Sequence, residues 1–452
     1  MTIINIQKKI FYLYIIFMPI VVFSPFDFIN TAFGEMAGSF SIVFHIIGFV
    51  LIMVSAAKEK IKINSFIKYI FFMILILNSL SIVMSLLLNY NLGILHGETT
   101  YTATIGMIIY YCHIFLIFYY NYYNLKNIKK EVLNRLLNLI VIFTFCIGYL
   151  QIFLLNFHSL VNLYDGINIL GILRDSDFLI TINRITLMGN EPASAATTLS
   201  LLILPFLFAK HLEKDNLKVL FIILMFIPII YYTKSSTAYI MFAANILVYL
   251  FFYFKKNKIN LKNIIISTTV FTIALSPFFI TTLDTETEIR NEIEYLFLNK
   301  ITDNTNQSTL ARTSTVINDI KVFNKYPISG IGNGNQGFYY NENVPPMYLY
   351  SAEVQNLYRG DSGIVNGGPF IPAYISGYGI IGIVLLIIFI LKSNRILKNK
   401  QGELGVFYEM YYLAAVSFLV SSIMSNDIVG NYIAIFILSL PFMYSNNFKE
   451  DI

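Results

Sequence analysis

Residues 66–88 read FIKYIFFMILILNSLSIVMSLLL, a run of twenty-three residues with Lys68 as its only charge. A helix of about 20 apolar residues spans the roughly 30 Å hydrocarbon core of a bilayer. Comparable runs recur along the whole chain. They place spans near 10–28, 40–57, 66–88, 103–123, 132–156, 193–210, 217–233, 236–254, 262–281, 370–391, 406–424 and 428–445. The fold class expected is therefore all-α, a polytopic transmembrane bundle of about 12 spans. The composition agrees: 56% of the 452 residues are hydrophobic and 13% charged, against about 25% charged in soluble domains. One soluble core would have to hide every run, and single cores stop growing at this size.

An even number of spans puts both termini on one side. If that side is cytoplasmic, the inner segments hold 22 of the 31 basic residues, and the outer ones hold 18 of the 26 acidic residues. Placement of the spans did not use this split, which follows the positive-inside bias. The chain then divides into residues 1–281 with nine spans, a large outer loop at 282–369, and residues 370–452 with three spans. The segment at 11–24 lacks a small-residue cleavage site and reads as a retained helix. A second outer segment runs from about 157 to 192.

The net charge of +5 comes from Lys and Arg clustered between spans, so it signals topology, and no nucleic-acid partner is expected. Cys112 and Cys146 lie inside apolar runs and offer neither a disulfide framework nor a zinc site. No two histidines have metal-ligand spacing, and the large loop contains none. No metal or cofactor is expected, and a His base in that loop is excluded. Trp is absent, and Tyr, clustered at span ends as in Tyr119, Tyr120, Tyr122 and Tyr123, can supply the interfacial belt.

Three features outside the spans can carry chemistry. Residues 330–337, Gly-Ile-Gly-Asn-Gly-Asn-Gln-Gly, match G-x-G-x-x-G. They follow a proline and face outward, so a tight turn that brings backbone close to another group is the better reading than a dinucleotide site. Glu191-Pro192-Ala193-Ser194-Ala195-Ala196 opens the sixth span. A carboxylate there is stabilised by the helix dipole, and serves either as a cap or as a group facing a cavity at the membrane edge. The outer arginines Arg174, Arg184, Arg290, Arg312 and Arg359 suit an anionic diphosphate, since guanidinium grips phosphate bidentately and keeps its charge. The bland alternative is pairing with Asp175, Asp177, Glu353 or Asp361. The acidic stretch around Arg290 (Asp284, Glu286, Glu288, Glu292, Glu294) reads as an amphipathic surface helix.

These residues in this order resemble the O-antigen polymerase and ligase superfamily of bacterial surface-polysaccharide enzymes. Glu191-Pro192-Ala193-Ser194 is similar to its Glu-Pro-Ser helix start. Leu310-Ala311-Arg312 followed by Tyr326-Pro327-Ile328-Ser329-Gly330-Ile331-Gly332-Asn333-Gly334 is similar to its loop block, with Ala311 in place of a Gly. Gly379-Ile380-Ile381-Gly382 matches a motif at the opening of the next span. In the ligases a His precedes that motif. The corresponding position is Gly368, which points towards the polymerases.

The resemblance implies a fold similar to lipid-carrier-dependent glycosyltransferases and a location in the bacterial inner membrane. It implies a metal-independent transfer of a growing glycan from undecaprenyl diphosphate to a sugar hydroxyl on an incoming lipid-linked repeat unit. The partners are then undecaprenyl-diphosphate-linked glycans and membrane lipids, with room for a chain-length regulator and a flippase. Arg312 leads the diphosphate-binding candidates, with Arg184, Arg290 and Arg359. Glu191, Glu353 and Asp361 are the base candidates. Tyr339, Tyr340, Tyr348, Tyr350 and Tyr358 would stack on sugars or pack the loop. Alternatives on the same evidence are a ligase and a flippase of lipid-linked oligosaccharide. Matching halves, common in transporters, are not found.

Overall fold

The computed structural model describes residues 3–21, 39–56, 65–168, 171–257, 307–360, 368–424 and 431–443. The ninth expected span at 262–281, the acidic stretch 284–294 with Arg290, and Asp361 lie outside these residues. The architecture is all-α and polytopic. Seven described helices are long and apolar enough to cross a membrane. They are α3 (Ser65–Leu92), α4 (Thr100–Leu125), α5 (Lys130–Asn156), α8 (Pro192–Lys214), α10 (Ser236–Lys256), α13 (Phe370–Asn399) and α14 (Val406–Met424).

The shorter apolar helices are α1 (Ile3–Phe17), α2 (Ser41–Ala56), α9 (Leu217–Thr233) and α15 (Tyr432–Ser439). α1 starts earlier than the 10–28 span expected from hydropathy. Lys234, in the left-handed conformation, turns the chain between α9 and α10. Outside the spans lie α6 (Val161–Ile167), α7 (Ser176–Ile182), α11 (Gln307–Lys325) and α12 (Ala352–Arg359). The strands β1 (Ile94–Leu95) and β2 (Glu98–Thr99) form a small antiparallel hairpin.

The core runs through the bundle. α8 is the most buried of the seven long helices. It packs against α14, which also packs against α10. Its small-residue start, Ala193-Ser194-Ala195-Ala196, leaves room for close approach. A π-helical turn at Leu199–Ile203 interrupts it, and the buried Asn245 amide donates to the freed Ser200 carbonyl at 2.9 Å. Phe72, Leu87, Ile142 and Leu391 instead point out of the protein. Apolar side chains outside are what a hydrocarbon solvent permits.

α13 decides where the large loop sits. Gly379 has φ 59° and ψ −151°, so the helix breaks nine residues after its start. The Gly379–Gly382 motif, expected at a span opening, thus lies inside a helix that begins at Phe370. The loop fills this break. Ile331 N–H and Gly332 N–H donate to the Ser376 and Gly377 carbonyls at 3.1 and 2.9 Å, while Ile380 and Ile381 N–H donate to Pro327 and Ile328 carbonyls at 2.8 and 3.3 Å. Orphaned backbone groups of a broken helix at membrane depth must find such partners.

Candidate functional site

The Gly-rich turn explains its own composition. A Cβ on Gly330 (φ 64°) would lie 2.5 Å from Tyr378 N, and one on Gly379 would lie 2.6 Å from the Pro327 carbonyl oxygen. Each glycine lies against the backbone of the other segment where the two meet, Gly330 on Gly377–Tyr378 and Gly379 on Pro327–Ile328, and both adopt φ values that other residues avoid. The amides between them pin the turn to three spans. Asn333 N–H donates to Ser81 Oγ on α3 at 3.1 Å, and its Nδ2 donates to Tyr111 Oη on α4 at 3.0 Å. Asn335 Nδ2 donates to Thr104 Oγ1 on α4, and Gln336 Nε2 to the Ala373 carbonyl on α13. All three amide side chains are buried, and their donors are all engaged in holding the turn to the spans, although Asn335 Oδ1 has no partner among the described residues. The turn is an anchor, as the close-approach reading of 330–337 expects.

α11 carries Arg312 above this anchor. Its apolar side, Leu310 and Ala311, packs with Tyr340, Val344 and Val354, and Ser314 Oγ lies 2.6 Å from Tyr340 Oη. Arg312 itself is exposed and makes no ion pair with a described residue. α12, capped by Ser351 and stopped by left-handed Gly360, lies alongside through Val354 and Leu357. Glu353 and Arg359, both exposed, occupy its first and last turns. Tyr339 and Tyr340 are buried as loop packing, whereas Tyr350 and Tyr358 are exposed. Of these tyrosines the latter pair, with half-buried Tyr348, leaves its rings accessible.

Arg184 and Glu191 belong to a different segment. Buried Gln151 on α5 organises it: Oε1 accepts from Thr186 and Leu187 N–H, and Nε2 donates to the Leu187 carbonyl and Tyr164 Oη. Arg184 Nε and Nη2 donate to the Thr233 and Lys234 carbonyls at 2.9 and 2.8 Å. Two of its three nitrogens therefore satisfy the open C-terminal end of α9. Glu191 is the N-cap of α8 with Pro192 behind it, and its side chain makes no capping bond. It stays exposed and close enough to Arg184 for their charges to interact. Arg174 donates through Nε to the Asn190 carbonyl and lies over the Phe178 ring.

One carboxylate escaped the sequence reading. Asp319 lies seven residues after Arg312 on α11 and is 1% exposed. Its Oδ2 accepts from Gly368 N–H and its Oδ1 from Ser376 Oγ, both at 3.1 Å. Burial pushes its carboxyl up to about 7, against the pull of those two donors. The signal available in the sequence was its spacing from Arg312, which puts 312, 315 and 319 on one helical stripe. Gly368 closes the group: a Cβ there would meet Thr315 Oγ1 at 2.7 Å and Asp319 Oδ2 at 3.1 Å. No cluster of three or more metal-ligating side chains occurs among the described residues.

These features define a membrane-embedded helical protein whose Gly-rich turn is locked into a broken span beside a helix that presents an arginine. The profile of a family described as O-antigen ligase matches residues 220–358, from α9 through α12. Over that stretch the chain is similar to this family. No curated protein matches the chain.

Proposed function

We propose that the protein is a surface-polysaccharide polymerase of the bacterial inner membrane, with both termini cytoplasmic and the 282–369 loop periplasmic. It joins repeat units carried on undecaprenyl diphosphate. The observation that carries this reading is the exposed Arg312, which forms no ion pair with a described residue, on a loop helix fixed to the bundle by the Gly-rich turn. In the reaction, a sugar hydroxyl of the incoming unit attacks the anomeric carbon of the growing glycan. The bond to the carrier diphosphate breaks and its electron pair leaves with the diphosphate. Arg312 stabilises that charge as it develops, without a metal. Arg359 lies on the neighbouring helix, and Arg290 belongs to the same loop in sequence. Arg184 ranks behind them because its guanidinium already serves backbone carbonyls.

Gly368 favours polymerase over ligase, since it offers no imidazole at the position where the ligases carry one. A chain-length regulator and a flippase are the expected neighbours in the membrane. The test is a polysaccharide gel from a deletion strain complemented with wild type or Arg312→Ala. A core bearing single repeat units, a ladder restored by wild type and no ladder with well-expressed Arg312→Ala is the expected result. A deletion strain with no repeat unit on the core would refute the polymerase reading in favour of flipping or ligation.

A further inference from the structure

We infer that Asp319 is the proton acceptor of the transfer reaction, taking the proton of the attacking sugar hydroxyl while Arg312, on the same face of α11, holds the carrier diphosphate. The inference rests on the transferase reading above. Seven residues of helix separate the two side chains by about 10 Å along the axis. A sugar attached to a diphosphate held at Arg312 can reach across such a gap.

The hydrogen bonds around Asp319 suit both of its protonation states. Ser376 Oγ is within bonding distance of two acceptors, Asp319 Oδ1 at 3.1 Å and the Ala373 carbonyl at 3.0 Å. A hydroxyl has one proton to give and two lone pairs to offer. With Asp319 charged, Ser376 donates to it. With Asp319 protonated, the carboxyl donates to Ser376 Oγ, and Ser376 turns its own proton to Ala373. Neither state leaves a buried group unpartnered, so the proton can arrive and depart without the desolvation cost of an orphaned donor. Each carboxylate oxygen accepts one bond and has a second lone pair. Gly368 adds only backbone to this wall.

Burial and the hydrogen bonds from Gly368 and Ser376 are what act on the carboxyl among the described residues. The titratable side chains on elements packed against α11 are Tyr339, Tyr340, Glu342, Tyr348, Glu353, Tyr358, Arg359, Tyr374, Tyr378 and, far along α13, Lys392, Arg395 and Lys398. Arg312, Lys321 and Lys325 are on α11 itself. None of them hydrogen-bonds Asp319 among the described residues. Lys321 donates to the Asn343 carbonyl and Lys325 pairs with Glu342. Burial, opposed by the two hydrogen bonds, places the carboxyl near neutrality, where a general base is most effective. The atoms balance: the hydroxyl oxygen forms the new glycosidic bond, its proton passes to Asp319, and the diphosphate departs with the electrons of the broken bond. Asp319 then returns the proton to the diphosphate or to water.

The experiment uses the full chain in vesicles with undecaprenyl-diphosphate-linked repeat units, following kcat and KM from pH 5 to 9. The wild type should show an acid limb in kcat/KM near pH 7. Asp319→Asn should cut kcat by about 10²- to 10⁴-fold, keep KM, and lose the limb. Infrared spectra should show a protonated-carboxyl band below pH 7 that Asp319→Asn removes. Ser376→Ala keeps the carboxyl and removes a donor to its charged form, so the limb should move to higher pH. An active wild type whose Asp319→Asn and Ser376→Ala variants keep the limb unmoved would reduce Asp319 to a tether and overturn the inference alone. A well-folded wild type that moves lipid-linked units without joining them would overturn the transferase reading, and the role of Asp319 with it.

Discussion

Replacing Gly379 with Ala tests whether the loop is truly seated in α13. At φ 59° and ψ −151° a side chain occupies a region open essentially to glycine alone, at about 1–3 kcal/mol. The added Cβ would also sit 2.6 Å from the Pro327 carbonyl oxygen, so the loop backbone must retreat. That retreat loosens the bonds from Ile380 and Ile381 N–H to Pro327 and Ile328. Each is worth about 0.5–1.5 kcal/mol, and more if a donor is left dry. Together the loss is about 2–6 kcal/mol, a large part of the roughly 5–15 kcal/mol that holds a protein folded. Thermal unfolding in detergent should show a drop of several degrees. Hydrogen exchange should speed up at Ile331, Gly332, Ile380 and Ile381 together. Gly402→Ala is the control, since a Cβ there meets nothing within 4 Å. If Gly379→Ala melts like wild type with unchanged exchange at those four amides, the loop does not fill the break and the anchoring argument fails.

Two further substitutions separate structure from chemistry. Arg184→Ala strips two charged donors from the Thr233 and Lys234 carbonyls and should destabilise by about 1.5–3 kcal/mol per lost bond at most, read as a lower melting temperature; Arg184→Lys should not restore it, because one ammonium cannot span both carbonyls as the guanidinium fork does. Asp319→Asn should stabilise the fold with a definite pH dependence. The native carboxyl at about 7 lies above its ordinary 3.8, so the folded state binds this proton more tightly. The resulting stability is full below about 3.8 and is lost as pH rises to 7. Above that, the buried charge costs at most about 4 kcal/mol at 1.36 kcal/mol per pH unit. The melting-temperature gap between variant and wild type should therefore open from pH 4 to 7 and level off beyond; a gap that is constant with pH would refute the assignment.

The spans were legible because the bilayer leaves the chain so little choice. Residues 66–88 became α3 (Ser65–Leu92), and 132–156 became α5 almost residue for residue, since an apolar run of that length has no other stable home. The break in α13 was not legible from hydropathy: residues 370–391 read as one apolar span, and the loop that satisfies Gly377 and Ile380 lies some fifty residues earlier. The arginines were visible as types, but their employment was not. Arg184 and Arg312 look alike in sequence. Only the fold shows one bound to the end of α9 and the other exposed. Asp319 was the hardest to see, because its burial depends on Gly368 and Ser376, 49 and 57 residues away.

The same long-range bonds explain why a Gly-rich turn accompanies an arginine helix at all. On the proposed function, a lipid-carried diphosphate approaches at a depth set by the membrane surface, so groups that receive it must be held at a matching depth. A mobile loop could not do this, because sites held even an ångström loosely lose much of their effect. Here Asn333, Asn335 and Gln336 tie the turn to α3, α4 and α13. Asn318 Nδ2 on α11 donates to the Gln336 carbonyl. The helix bearing Arg312 and Asp319 is thereby fixed to three spans through a single buried network. Weakening that network, for example with Gln336→Ala, should lower transfer while Arg312 and Asp319 both remain in place. Unchanged transfer with lowered thermal stability would mean that the anchor serves the fold and leaves the chemistry alone.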